Sequence, residues 1–229
     1  MKVDVAKPIY SITPFTLLDY PHKTACILWF AGCNMRCLYC YNPDIVLGKG
    51  KLSFQDALKF LKTRVNLLDG VVLSGGECTL HKNIINLIIE IKKMGLLIKV
   101  DTNGTNPGMI EFLLKEKLID YVALDFKAPT DKFKSITNSD LYLSFISSLK
   151  LLISSAIPFE VRTTIHSTLL VQNDFQKMID VLEKFDYKGS YYIQNYVNNT
   201  KTLAELQNSK HNTINVSSLN TKLSVVLRN

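Results

Sequence analysis

Six short apolar runs alternate along the chain with segments whose apolar residues recur at helical spacing: Cys26 to Phe30, Gly70 to Ser74, Leu96 to Asp101, Asp120 to Phe126, Phe159 to Ile165 and Ser190 to Gln194. Strands that read as unbroken apolar runs are buried on both faces, and their alternation with helices implies parallel pairing through right-handed crossovers. The pattern therefore predicts an α/β fold, a parallel sheet with outer helices. An open doubly wound sheet and a complete or partial barrel both satisfy it. Six units fall short of the eight that close a TIM barrel, which favours a partial barrel of about (β/α)6. In either arrangement, residues that do chemistry belong at the C-terminal ends of the strands.

The helical segments carry their own boundaries. Ser53 is placed to cap a helix running to about Leu68, with Phe54, Ala57, Leu58, Leu61, Val65 and Leu68 on one stripe. A second runs from His81 to Met94, with Lys92 and Lys93 in its last turn and Gly95 as its stop. Others are expected around Met109 to Lys117, Asp140 to Ile153 and Phe175 to Phe185. Residues 195–220, rich in Asn, Ser and Thr, read as loop or a poorly defined helix, and Leu223 to Leu227 as a short closing strand.

At 229 residues, 47% of them hydrophobic, the chain can close one substantial core, so a single domain over 1–229 is expected and bulk disorder is excluded. No apolar run approaches the ~20 residues of a membrane span, and Asp4 and Pro8 interrupt the stretch a signal peptide would need. A cytoplasmic protein without membrane association is expected. The net charge of +7 is spread, with no more than two adjacent basic residues, which speaks against a nucleic-acid partner and leaves docking of an acidic protein open.

Five cysteines are present, and three of them, Cys33, Cys37 and Cys40, fall within eight positions. That crowding is unlike a disulfide framework and points to a metal in a reducing compartment. Structural zinc needs four ligands, usually as two pairs, and no second pair lies nearby. A [4Fe-4S] cube normally takes four thiolates, so three leave one iron open to chemistry. Cys26 or Cys78 as a fourth ligand would instead close the site and make a non-enzymatic iron-sulfur or zinc protein. Cys26 reads first as a buried structural thiol.

The string Ala31-Gly32-Cys33-Asn34-Met35-Arg36-Cys37-Leu38-Tyr39-Cys40-Tyr41-Asn42-Pro43 resembles the radical S-adenosylmethionine (SAM) enzymes, and among them the activating enzymes of glycyl-radical enzymes. The likeness extends from about Ser11 to Tyr196. It is nearest to the anaerobic ribonucleotide reductase activating proteins, with pyruvate formate-lyase activases next. The resemblance implies that Cys33, Cys37 and Cys40 bind three irons of a [4Fe-4S] cluster while SAM chelates the fourth. It further implies reductive cleavage of SAM to methionine and a 5'-deoxyadenosyl radical, which takes hydrogen from a glycine of a partner enzyme. No catalytic residue is required beyond cluster and SAM. The implied electron donor is a flavodoxin or ferredoxin.

Further motifs extend the likeness, the first two each readable alone as an ordinary strand-end turn and Asp125-Lys127 as a salt-bridged pair. Ser74-Gly75-Gly76-Glu77 is similar to the segment that hydrogen-bonds the SAM amino group through backbone carbonyls, with Cys78 standing where the family usually has proline. Asp101-Thr102-Asn103-Gly104 is the same string that activases carry, implying Asp101 and Asn103 as cofactor contacts, the acid at SAM or a cation. Asp125 and Lys127 share a strand face, and the matching lysine contacts SAM; Tyr39, the aromatic before the last cysteine, joins this set. Arg162 is placed to clamp a carboxylate, and His166 reads as a surface or core-edge histidine. Gln194-Asn195-Tyr196-Val197 stands where pyruvate formate-lyase activases have Pro-Tyr-His, which favours the reductase-activating type. No second cysteine cluster follows Cys78, which disfavours auxiliary-cluster maturases. A radical SAM enzyme acting on a small metabolite is the nearest alternative.

Overall fold

The structure, a computed structural model, describes residues 6–210 and 214–228. The beginning of the N-terminal stretch, read above as unlike an export signal, and positions 211–213 of the polar stretch lie outside the described residues. The chain forms two compact units. One takes the residues up to Asn34 together with Asn42–Thr102 and Gly108–Val122; the other takes Met35–Tyr41, Asn103–Pro107 and the chain from Ala123 onward.

In the first unit, β1 (Ile9–Thr16) runs antiparallel to β2 (Ala25–Phe30), which is followed in parallel by β3 (Gly70–Gly75) and β4 (Leu97–Thr102). The register sets Phe30 beside Gly75 and Val72 beside Lys99. Alternate residues of these strands share a face, and on one face Ala25, Ile27 and Val72 pack with Tyr20, flanked by Trp29, Leu97 and Tyr121. Strand β1 was not expected. Its alternation from Tyr10 to Thr13 is the half-buried pattern of an edge strand rather than an apolar run.

The helices of this unit are α1 (Pro43–Leu47), α2 (Phe54–Lys62), α3 (Ile84–Lys93) and α4 (Pro107–Lys115), the last entered through its first residue from the second unit. Ser53 caps α2 as expected, in a reciprocal box in which Ser53 Oγ accepts from Asp56 N at 3.2 Å and the Asp56 carboxylate accepts from Ser53 N at 2.8 Å. The helix stops at Lys62 rather than near Leu68. There the Thr63 hydroxyl bonds back to the Phe60 carbonyl at 2.7 Å, and the chain continues as single turns. Gly95 ends α3 at φ +79°, the left-handed stop its position implied. Lys92 does more than face the helix end: it pairs with Asp120 at 2.7 Å, and the same carboxylate accepts the Ile98 N–H at 2.7 Å.

Strand β5 (Tyr121–Asp125) leads into the second unit, which continues with α5 (Thr130–Thr137), α6 (Tyr142–Ile153), β6 (Phe159–Ile165), α7 (Gln172–Lys184), β7 (Tyr191–Asn195) and β8 (Val225–Arg228). Strands β6, β7 and β8 are parallel. Helix α5 was missed by periodicity, although Pro129 before it, Asp131 in its first turn and Asn138 in the left-handed conformation after it are boundary signals.

The expected α/β fold with parallel strands holds, and β6 spans the residues assigned to it from sequence. Within each unit the strands follow sequence order without reversal, whereas an open doubly wound sheet needs a switch point.

Candidate functional site

In the first unit, the cysteine loop leaves β2 under tight backbone control. Gly32 donates to the Ile45 carbonyl and accepts from Glu77 N, both at 2.9 Å, while Gly76 N donates to the Phe30 carbonyl at 2.8 Å. This seating of one turn on another requires glycine. A Cβ at Gly76 would lie 1.9 Å from the Gly32 oxygen, and one at Gly75, at φ +122°, would strike the Phe30 backbone. Beside them, His81 donates from Nε2 to the Ala31 carbonyl at 3.0 Å and packs on Phe30, and burial holds its imidazole below the ordinary histidine range.

The two strand-end motifs of this unit are bound to each other. Ser74 Oγ donates to Asp101 at 3.2 Å, and Thr102 Oγ1 donates to Glu77 Oε1 at 2.8 Å. Glu77, 1% exposed, also accepts from Thr79 N at 3.1 Å and Thr79 Oγ1 at 2.6 Å. Its carboxylate is therefore a brace for the turn, and the backbone is what the turn has to offer a ligand. Asp101 also forms an ion pair with Lys99.

The other two cysteines are both fully buried. Cys26 is fully buried beside Val71, four residues before Phe30, which at ~3.3 Å per residue is about 13 Å back along the strand. Burial pushes its thiol up to about 12. Cys78 is fully buried with its thiol toward the Leu73 and Asp101 carbonyls at 3.5 and 3.6 Å. Burial, then the charges of Glu77 and Asp101, push it well above the ordinary thiol range.

In the second unit, residues 36–40 of the same loop are held on both sides. Arg36 N donates to Thr137 O at 2.8 Å and Leu38 N to Ile136 O at 3.0 Å, so the last carbonyls of α5 are satisfied by the loop. From the other side, Ala204 N donates to Leu38 O at 3.1 Å and Leu203 N to Cys40 O at 3.0 Å. Leu203 and Ala204 of the polar stretch lie in loop, and that loop straps the cysteine segment. Tyr39 is buried, its hydroxyl 3.3 Å from the Lys127 carbonyl; burial raises its phenol well above the ordinary range, with Cys37, Asp125 and Cys40 adding and Lys127 opposing.

Asp125 receives both Lys127 Nζ and Arg162 Nε at 3.0 Å. Burial pushes its carboxyl up, but Arg162 and Lys127 outweigh this and hold it below the usual carboxylate range. For Lys127, burial acts to lower the ammonium, and Asp125, Tyr39 and Cys37 more than reverse it. Asn103 Oδ1 accepts from Thr105 N at 3.0 Å and Thr105 Oγ1 at 2.6 Å, an Asx turn that fixes the loop after β4. His166 is fully buried, bonded to the Gln207 carbonyl at 2.8 Å and to Thr168 Oγ1 at 2.9 Å, and meets Tyr196 edge-on. It lies in the core and not at the surface.

All five cysteines are free thiols. The donor chemistry of the loop, three soft sulfurs with the remaining two cysteines turned into the core, suits an iron-sulfur cube with one open corner better than tetrahedral zinc. Sequence reasoning missed Lys99, Thr102 and the Leu203-Ala204 strap, whose roles depend on long-range pairing and leave no local signature.

Residues 27–185 match the family model described as the Radical SAM superfamily. A protein of Methanocaldococcus jannaschii named as a glycyl-radical enzyme activating enzyme is 31% identical over 198 residues, covering 82% of this chain and 79% of its own. The pyruvate formate-lyase-activating enzyme of Clostridium pasteurianum is 35% identical over 137 residues, 56% of each chain. Among solved structures, Streptococcus suis SuiB bound to S-adenosylmethionine aligns with 89% of this chain and 52% of its own at a TM-score of 0.67 and 14% identity, a likeness of fold.

Proposed function

We propose that this chain, which belongs to the radical SAM superfamily, activates a glycyl-radical enzyme, and that its partner is an anaerobic ribonucleoside-triphosphate reductase. The family's cofactors, a [4Fe-4S] cluster and SAM, are this chain's as well. Bound together, they supply one-electron cleavage of a carbon-sulfur bond, and with it the means to take a hydrogen atom from a glycine of the partner.

The protein's own work is holding and orienting. Cys33, Cys37 and Cys40 would hold three irons and leave the fourth for SAM. The turn Ser74-Gly75-Gly76 would offer backbone carbonyls to the SAM amino group, since the Glu77 carboxylate is occupied by Thr79 and Thr102. Arg162 and Lys127, both steadied by Asp125, are the cations for a carboxylate. Tyr39, Asp101 and Asn103 complete the contacts. The observation that carries this reading is the seating of Gly76 and Glu77 on Phe30 and Gly32, which couples a ligand-binding turn to the start of the metal loop.

The reductase is favoured over pyruvate formate-lyase because Tyr196-Val197 stands where a histidine would mark the latter type, and Tyr196 is stacked on Tyr41 beside Cys40 instead. A flavodoxin or ferredoxin would deliver the electron, its acidic surface matching the net charge of +7.

The test is anaerobic incubation of the reconstituted protein with SAM, a reductant and either an inactive reductase or an inactive pyruvate formate-lyase polypeptide. A glycyl radical signal by electron paramagnetic resonance is expected with the reductase alone. SAM cleavage with no radical on either polypeptide would move the reading to a small-metabolite substrate.

A further inference from the structure

Lys99 lies on β4 with its side chain 1% exposed, on the strand face that carries Val72 in register and Leu97 beside the apolar cluster. A lysine is almost never fully buried unless paired, and the desolvation of its ammonium is recovered only through good geometry with a counter-charge. Its carboxylate partner is Asp101, two residues on and on the same face, with the Tyr121 ring 6.0 Å from the ammonium. Asp101 is 12% exposed at the C-terminal end of the strand. One of its oxygens takes the lysine, and the other takes Ser74 Oγ at 3.2 Å. The carboxylate is therefore gripped from the core side by a fixed cation and from the neighbouring strand by the residue that opens the Gly75-Gly76 turn.

We propose that Lys99 is a positioning residue, a built-in cation that holds Asp101 and, through Ser74, the Gly75-Gly76 turn in the geometry that binds SAM. The proposal rests on the reading of Asp101 as a cofactor contact. A lysine serves better than a dissociable ion because it is attached to the strand and remains when solution conditions change. Removing it leaves a largely buried carboxylate with its counter-charge gone.

The test uses the cluster-loaded protein and needs no partner enzyme. SAM affinity and the thermal midpoint are measured for wild type, Lys99→Met, Asp101→Asn and the double variant, in choline chloride and in ammonium chloride at equal ionic strength. In choline, Lys99→Met is expected to bind SAM at least tenfold more weakly and to melt lower. Ammonium, small enough to enter, should raise both quantities for Lys99→Met alone. In the Asp101→Asn background the lysine substitution should have little further effect on SAM affinity, since its only route of action has been removed. The double variant replaces the pair by neutral groups and keeps the test alive if the single variant does not fold. Wild-type SAM affinity in Lys99→Met, or an equal loss on adding Lys99→Met to Asp101→Asn, would overturn the proposal. Failure of wild type to form a glycyl radical on a reductase, with SAM binding intact, would overturn the functional reading and leave this one standing.

Discussion

Ser74 and Asp101, which open two strand-end motifs 27 positions apart, are joined by a hydrogen bond of 3.2 Å, and Thr102, the last residue of β4, reaches Glu77, two residues past β3, at 2.8 Å. The motifs are one braced object in the first unit. Substituting either brace should therefore loosen both. Ser74→Ala removes a bond between partly buried groups and is expected to cost about 1 kcal/mol. Thr102→Val takes a donor from a buried carboxylate and is expected to cost about 2 kcal/mol. For a chain of this length each kcal/mol lowers the melting temperature by about 2–4 °C. Thermal melts of the two variants, with SAM affinity followed in parallel, check both values; an unchanged melt for Thr102→Val would show that Glu77 does not need the contact.

Gly76→Ala is expected to disturb the metal loop although position 76 carries no ligand. The added methyl meets the Gly32 carbonyl oxygen, which is backbone and has no rotamer to escape into. Anaerobically reconstituted Gly76→Ala should hold less than half the iron of wild type and lose about 1–3 kcal/mol of stability. Iron and sulfide assays together with urea unfolding measure the two effects. Wild-type iron content would show that the turn and the loop are independent.

The cysteines should separate into two classes. Cys33→Ser, Cys37→Ser and Cys40→Ser are expected to lose the cluster, whereas Cys26→Ser and Cys78→Ser keep it, because both of the latter thiols are fully buried and that of Cys78 faces the Leu73 and Asp101 carbonyls. Iron-to-protein ratios and the visible absorption band of the cluster decide this. Cluster loss in Cys26→Ser or Cys78→Ser with the fold intact would point to a closed four-thiolate site.

His81 gives the stability of the first unit a pH dependence of definite sign. Burial disfavours its imidazolium, so its folded-state value lies below the ordinary ~6.5. The unfolded chain therefore takes up the proton first. The contribution of His81 is fully present above about pH 6.5 and is lost as pH falls through the depressed folded-state value. Urea midpoints at pH 7.5 and 5.5 should fall for wild type by more than for His81→Gln, which keeps a donor for the Ala31 carbonyl and has no proton to gain in this range. Equal falls would assign the dependence to other groups.

Electron delivery should respond to salt. If the net charge of +7 steers an acidic flavodoxin or ferredoxin, the activation rate with either protein falls several-fold between about 50 and 300 mM salt, while the rate with dithionite as reductant changes little. A rate with the protein donor that is flat in salt removes the docking role of the charge.

What could be read from the sequence follows from how local each signal is. Strand β6 was placed to the residue because β-branched Val161, Thr163, Thr164 and Ile165 cluster directly after Pro158, and the cap at Ser53 and the stop at Gly95 are set by neighbours within four positions. The three loop cysteines and the strand-end motifs stood out for the same reason. What failed turned on competing bonds, short elements or distant partners. The end of α2 is decided by a hydroxyl competing for a carbonyl, and α5 is too short for periodicity to announce. Lys99 looks in sequence like one more charged residue in a lysine-rich chain, and only the fold puts its ammonium inside on the Asp101 carboxylate. Residues 203 and 204 carry no motif; their contribution is two backbone N–H groups.

The strap has a further consequence for anyone wishing to move this chemistry elsewhere. Residues 36–40 owe their path to carbonyls at 136 and 137 and to amides at 203 and 204, and Gly32 owes its own to residues 45 and 77. A peptide excised with all three thiols would keep the ligands and lose the mould that shapes them. Such a fragment, or the same string transplanted into a foreign scaffold, should pick up iron without discrimination and surrender it readily to a chelator.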